Sequence, residues 1–300
     1  MLSHEASMAM LRGQSLPIHP TYKFMSGEDH HLSCLRDDTV WFSSVDDLNA
    51  PYEGRVNLVH CGVSIADRLL ALTHIYNEDN NDLKKSRKEA EKFKKKLGDE
   101  AFVRHVYTNT QGHFNNFLKT HHAQRHVLSL SKAKQTLEEN LFPEPLSLMM
   151  MWGHYANGFR GMCVEYDYHE LCRSIKELND IGITAREINY VEDELPVITS
   201  KTILTDIVEK NGSASREILN AYCTKHKAWK YENEVRIIST LRGVNKRSEK
   251  SINRVFVSDQ NQALLEDVKC ILKSKIHKPE LISVSLHKAK FGFYFQTIEY

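Results

Sequence analysis

A block of helix-period sequence separates two strand-rich stretches, and this order restricts the folds open to the 300-residue chain. Within residues 63–119, Ile65, Leu69, Leu72 and Tyr76 recur at i, i+4, i+7 and i+11, the spacing of one helix face. Upstream, residues 21–25 and 39–44 are short runs rich in β-branched and aromatic side chains, which suit a pleated surface. Between that block and the second of these strands, Asn, Pro and Gly cluster at 49–54 and mark a turn. Downstream, residues 125–131, 161–167, 234–240, 281–286 and 291–298 read as strands. Residues 148–156, 200–210, 214–228 and 259–275 read as helices, with Gly212 as a C-cap between the middle two. A doubly wound sheet would alternate strand and helix throughout. Strands at both ends instead favour a single α+β domain over residues 1–300, with a mixed, mainly antiparallel sheet and a helical, basic insertion at about 63–120.

The formal net charge is +1, so no global field demands a polyanionic partner. The local balance differs: residues 84–97 hold eight basic and two acidic side chains. Such a run is either a solvated helix face or mobile arm, or a patch that contacts phosphates. Six scattered cysteines with no C-x-x-C pair read as reduced thiols. The chain starts with no basic-then-apolar leader, and no apolar run approaches a membrane span, so a cytoplasmic protein without membrane contact is expected.

The motifs G-x-x-x-x-G-K-[ST], G-x-G-x-x-G and G-x-S-x-G are absent, which removes the main support for P-loop, Rossmann and α/β-hydrolase readings. His121, His122 and His126 are close in sequence, but no H-E-x-x-H accompanies them, and no metal is expected. Cys163 sits in an apolar strand and reads as an inert core thiol. The run Met149-Met-Met-Trp-Gly-His-Tyr-Ala is either core or pocket wall, with His154 and Tyr155 supplying polar tips. Trp229-Lys-Tyr-Glu-Asn-Glu-Val-Arg-Ile-Ile carries the strongest signal. If the strand includes both glutamates, Glu232, Glu234 and Arg236 share one face. That face is either a surface ion-pair ladder or a carboxylate pair that stabilises a cationic, sugar-like transition state while activating an acceptor.

Taken together, Tyr22-Lys-Phe, Trp41-Phe-Ser-Ser, Asn49-Ala-Pro-Tyr-Glu, Met151-Trp-Gly-His-Tyr-Ala, Gly161-Met-Cys-Val-Glu-Tyr-Asp and Trp229-Lys-Tyr-Glu-Asn-Glu-Val-Arg resemble a large bacterial family known only as a domain of unknown function. The Glu-Asn-Glu segment also looks like the E-x-E that enters a strand in ADP-ribosyltransferases of toxin type. That second resemblance implies an ADP-ribosyltransferase-like sheet and NAD as substrate. Glu234 would hold the nicotinamide ribose as the catalytic carboxylate, and Glu232 would orient or deprotonate the acceptor. Tyr22 or Lys23, then Ser43 and Ser44, would take the polar cofactor-binding places of the first two strands. Trp41 and Tyr52 would stack on the bases, and Asn49, His154, Tyr155 and Arg236 complete the cofactor-binding set. The resemblance further implies a toxin of a toxin–antitoxin or phage-defence system, modifying RNA, another nucleic acid or a protein, with an antitoxin as a possible partner. A non-catalytic nucleic-acid-binding or partner-binding module and an NAD glycohydrolase are the competing expectations.

Overall fold

The computed structural model describes residues 20–48, 52–133 and 144–300. Asn49 therefore lies outside the described residues. The chain divides into two compact units: Met1–Ser44, Arg125–Tyr190 and His226–Tyr300 form the first, and Val45–Gln124 with Val191–Lys225 form the second. The helical stretch at 63–120 belongs to the second unit, which also draws on a segment about seventy residues further along the chain.

In chain order, the first segment contributes β1 (Thr21–Met25), α1 (Asp29–Arg36) and β2 (Thr39–Ser44). Next come β3 (Asn57–Val59), α2 (Ile65–Asn80), α3 (Leu83–Leu97) and α4 (Asp99–Gln124). The chain returns to the first unit with β4 (His126–Lys132), α5 (Met149–Tyr155), β5 (Met162–Tyr166), α6 (Tyr168–Asn179) and β6 (Ile183–Glu187), and β7 (Asn189–Val191) straddles the division at Tyr190. The second unit then adds β8 (Val197–Thr199), α7 (Ser200–Glu209) and α8 (Ser213–Tyr222). A short strand β9 (Thr224–His226) leads to β10 (Glu234–Ser239), β11 (Gly243–Lys246), β12 (Ile252–Ser258), α9 (Gln262–Ser274), β13 (Glu280–Leu286) and β14 (Phe293–Ile298).

The first unit is built on a ten-stranded sheet with the path β11-β2-β4-β1-β5-β12-β13-β14, and β10 lies between β4 and β6. Among the described pairs of this sheet only β12 and β13 run parallel, joined through α9, so the sheet is mixed and mostly antiparallel. One face packs Val40, Phe42, Leu128, Leu130, Val164, Val235, Ile237, Val255 and Val257 into the main core with α1, α6 and α9. The amphipathic pattern foreseen for α9 is realised, since Leu264, Leu265, Val268, Ile271 and Leu272 are its buried residues. The other face carries a second core around α5, where Trp152 meets Phe24 edge-on at 5.2 Å and its indole N–H donates to the Leu146 carbonyl at 2.9 Å. Met151 and Trp152 are core residues, while Met149 and Met150 are exposed. Glycine at 161 follows from close packing: a Cβ there would stand 2.2 Å from the Met25 carbonyl oxygen, which no side chain tolerates.

The second unit is mainly helical. The face formed by Ile65, Leu69, Leu72 and Tyr76 packs with Ala90, Phe93, Phe102 and Val106 from α3 and α4. A capping box between Ser64 and Asp67 starts α2. Lys225 and Glu53 form a buried ion pair at 3.3 Å within this unit. Two local expectations are corrected. The helix expected over 214–228 ends at Tyr222, where β9 and then a 3-10 turn, Lys227–Glu232, take over. Gly212 is the N-cap of α8, not a C-cap; Lys210 closes α7 in a left-handed conformation. Among the described residues no helix is long and apolar enough to cross a membrane.

Candidate functional site

The two glutamates do not lie on one strand. Glu232 ends the 3-10 turn, Asn233 adopts a left-handed backbone with φ 45°, and Glu234 opens β10. The alternation that would put Glu232 and Glu234 on the same strand face is thus broken at Asn233. Asparagine is among the few residues that enter the left-handed region at modest cost. Its side chain also donates to the Lys132 carbonyl at 2.8 Å, and the Lys132 N–H donates to the Asn233 carbonyl at 3.0 Å, which fastens the turn to the end of β4.

Both carboxylates are nonetheless buried, and each has its own partner. The Tyr155 phenol, from the end of α5, donates to Glu232 Oε1. Glu234 Oε1 accepts from Arg236 Nε at 2.6 Å, two residues along the strand and on the same face, and Arg236 is itself only 1% exposed. The Glu234 backbone N–H donates to the Tyr190 hydroxyl at 2.8 Å. Burial pushes the Tyr190 phenol above its ordinary range, with the negative charges of Glu234 and Glu232 adding to the effect. His154 shares a 2.9 Å hydrogen bond with the Tyr231 hydroxyl and packs near Trp229, outside the Glu232 contact.

The strand register extends this polar cluster across the sheet. Glu234 pairs with Ser131, Ser131 with Tyr22, Tyr22 with Glu165, and Glu165 with Arg254. Directly opposed residues point to the same face, so one polar row crosses five strands. Arg254 reaches Glu165 Oε2 at 2.7 Å. Tyr22 is fully buried in this row, and its phenol is held well above its ordinary range by burial and then by the Glu165 charge. Sequence reasoning did not single out Tyr190, Glu165 or Arg254. The signal for Glu165 was present as the acidic residue within an otherwise apolar strand; Arg254 becomes visible only through strand pairing.

A separate cleft follows from the way β4 is paired. Its one edge is taken by β10 along residues 126–131. The other edge is shared: β2 pairs at His126 and Val127, and β1 pairs at Ser131 and Lys132. Between these two pairings β1 and β2 part, and a cavity of about 490 Å³ opens, lined among others by Lys23, His31, Trp41, Ser43, Leu128 and Tyr166. Lys23 Nζ reaches across to the Ser129 carbonyl at 3.1 Å. Trp41 is half exposed, and its ring lies over Gly243, whose φ of 80° is a conformation that side-chain-bearing residues rarely adopt. His31, hydrogen-bonded to Ser26 Oγ at 3.2 Å, has its pKa lowered to about 4 by burial, with His30 and Lys23 as further causes, so it stays neutral at physiological pH.

Of the residues singled out from sequence, Lys23, Trp41 and Ser43 therefore meet in the cleft, while Glu232, Glu234, Tyr155 and Arg236 meet in the buried polar cluster. Glu232 and Glu234 do not line the cleft. Ser44 pairs with His126 at the end of β4. Tyr52 belongs to the second unit, where the Arg55 guanidinium lies 5.4 Å from its ring centroid. The three clustered histidines separate: His121 bonds Ser215 at 3.1 Å, His122 approaches Asp46 at 3.2 Å, and His126 is buried in β4.

Residues 151–237, which span α5 through the first part of β10, match a family described as a protein of unknown function (DUF2971). The match contains Tyr155, Glu165, Tyr190, Glu232, Glu234 and Arg236 and stops short of β1 and β2. No curated protein and no solved structure matches the chain.

Proposed function

We propose that the first unit is an NAD-dependent ADP-ribosyltransferase, with nucleic acid, RNA foremost, as the acceptor. One observation carries this reading: two buried carboxylates flank a left-handed asparagine and are held by different partners. The ion pair with Arg236 favours the charged form of Glu234, which suits it to stabilise the oxocarbenium-like ribose as the C1′–nicotinamide bond breaks and nicotinamide leaves with the electron pair. Glu232, positioned by the Tyr155 phenol, is suited to accept the proton of the acceptor as its oxygen or nitrogen bonds to C1′. The cleft lined by Lys23 and Trp41 opens on the other face of the sheet, so it stands apart from this reading, which rests on the carboxylate cluster alone.

The same Arg236–Glu234 pair favours a second reading, in which the cluster only braces the sheet and the protein is a binding module. Incubation with labelled NAD and cell extract separates them. Transfer predicts label in RNA, DNA or protein; glycohydrolysis predicts free ADP-ribose alone; a binding module leaves NAD intact. Glu234→Gln should lower NAD turnover by about 100-fold or more. Because that change also disturbs a buried ion pair, Tyr155→Phe serves beside it: the ring is kept while the hydrogen bond to Glu232 is lost, so the variant should fold normally and lower turnover by roughly tenfold. Unchanged kinetics in both variants would overturn the assignment.

A further inference from the structure

Helix α3 of the second unit presents a feature that the carboxylate cluster does not use. Lys84, Lys85, Lys88, Lys92, Lys95 and Lys96 are all exposed. At 3.6 residues per turn they fall within an arc of about 120° and extend about 18 Å along the axis. Ser86 and Ala90, with Phe93 beside them, form the opposite side, which packs against α2 and α4. The helix thus has one buried stripe and one lysine stripe.

Among the described residues, no carboxylate pairs with a lysine of this stripe. The acidic residues of the helix are engaged elsewhere: Glu91 pairs with Arg87 at 3.0 Å, and Glu89 accepts from Asn80 at 2.7 Å. Lys94 pairs with Asp99 at 3.2 Å. Among the described residues, none of the six stripe lysines forms an ion pair. Their arrangement works against the helix. Lys84–Lys88, Lys88–Lys92 and Lys92–Lys96 are like-charge pairs at i, i+4, each unfavourable by a few tenths of a kcal/mol. Lys84 and Lys85 also stand in the first turn, where the helix dipole disfavours cations, and Asp82 caps the N-terminus without offsetting both. Against a chain whose net charge is only +1, this concentration is local.

We propose that the lysine stripe of α3 is a docking surface for the phosphate backbone of double-stranded nucleic acid. Duplex phosphates place a charge every ~1.7 Å of axis with both strands counted, so an 18 Å length of duplex carries about ten, more than the six lysines need as counter-charges. The stripe carries no aromatic side chain for base stacking, which single strands use, and no arginine fork for reading base edges. Binding is therefore independent of sequence and stronger for duplex than for single strand. A membrane surface is disfavoured because the apolar side of α3 is already packed and has nothing to insert. The surface stands whether or not the first unit transfers ADP-ribose, so its test does not involve NAD.

The test is fluorescence anisotropy of the full chain with a labelled 20-base-pair DNA duplex from 50 to 200 mM NaCl. The wild type should give a log–log salt slope of about −5, from ~0.9 per neutralised phosphate. Combined Lys88→Gln, Lys92→Gln and Lys95→Gln should roughly halve that slope and weaken binding at 100 mM salt by about 100-fold. This variant relieves repulsion within the helix, so circular dichroism should show the fold retained. A single strand of the same sequence, poly-glutamate and vesicles containing phosphatidylserine complete the set. A salt-independent affinity, an unchanged triple variant, or tighter binding to any of these three ligands than to the duplex would each overturn the proposal.

Discussion

The β10 cluster and the α3 stripe treat charge in opposite ways. Around β10, Glu232, Glu234, Glu165 and Arg236 are buried, and each charge is answered within bonding distance by Tyr155, Arg236, Arg254 or Glu234. On α3, six cations are exposed and unanswered by the described residues. Buried charge must be compensated inside the fold because desolvation is severe; exposed charge can be left open because water bears most of the cost. The first arrangement fixes geometry within the fold. The second leaves binding capacity for something outside the chain.

Three substitutions probe that contrast, beginning with the greatest effect. Arg236→Met leaves Glu234 buried without its cation, and urea unfolding should show a loss of about 3–5 kcal/mol. A loss below about 1 kcal/mol would mean that the cluster is more open to water than its burial implies. Asn233→Ala places a side chain with little tolerance for φ 45° in the turn and deletes the bond to the Lys132 carbonyl; the expected cost is about 1–3 kcal/mol, with Asn233→Gly milder because glycine recovers the backbone freedom. Equal losses for alanine and glycine would assign the effect to the hydrogen bond rather than to the backbone. The triple glutamine variant of α3 should be the gentlest, neutral or stabilising by a few tenths of a kcal/mol in thermal melts. Marked destabilisation there would show that the stripe is engaged within the fold and would collapse the contrast.

Much of this architecture was legible in the sequence. β1, β2 and β5 declared themselves through β-branched and aromatic runs, and α2 and α9 through their apolar period. The candidate carboxylates were legible as residue types but not in their arrangement. The period-two reading of Glu232 and Glu234 overlooked the asparagine between them, the residue that best signals a left-handed turn. The helix expected over 214–228 overran for a related reason: Ala228 and the lysines around it favour helix locally, whereas β9 at 224–226 depends on pairing with a distant strand. The second unit, assembled from Val45–Gln124 and Val191–Lys225, depends on contacts between segments far apart in sequence, which local periodicity does not encode. The cleft was equally hidden, because it arises from two strands sharing one edge of β4.

That shared edge has a consequence for how the cavity could change over time. Where β1 and β2 part, Leu128 of β4 lines the cavity, and the carbonyl of the next residue, Ser129, is occupied by a lysine side chain and not by a neighbouring strand. Main-chain groups are indifferent to which side chains surround them. Substitution at Trp41, Ser43 or His31 would therefore reshape the cavity while the peptide groups at its back persist, and retraction of the Lys23 ammonium would expose a ready acceptor. The hydrogen-bonding character of this wall is written into the strand topology, which leaves the lining residues free to tune fit.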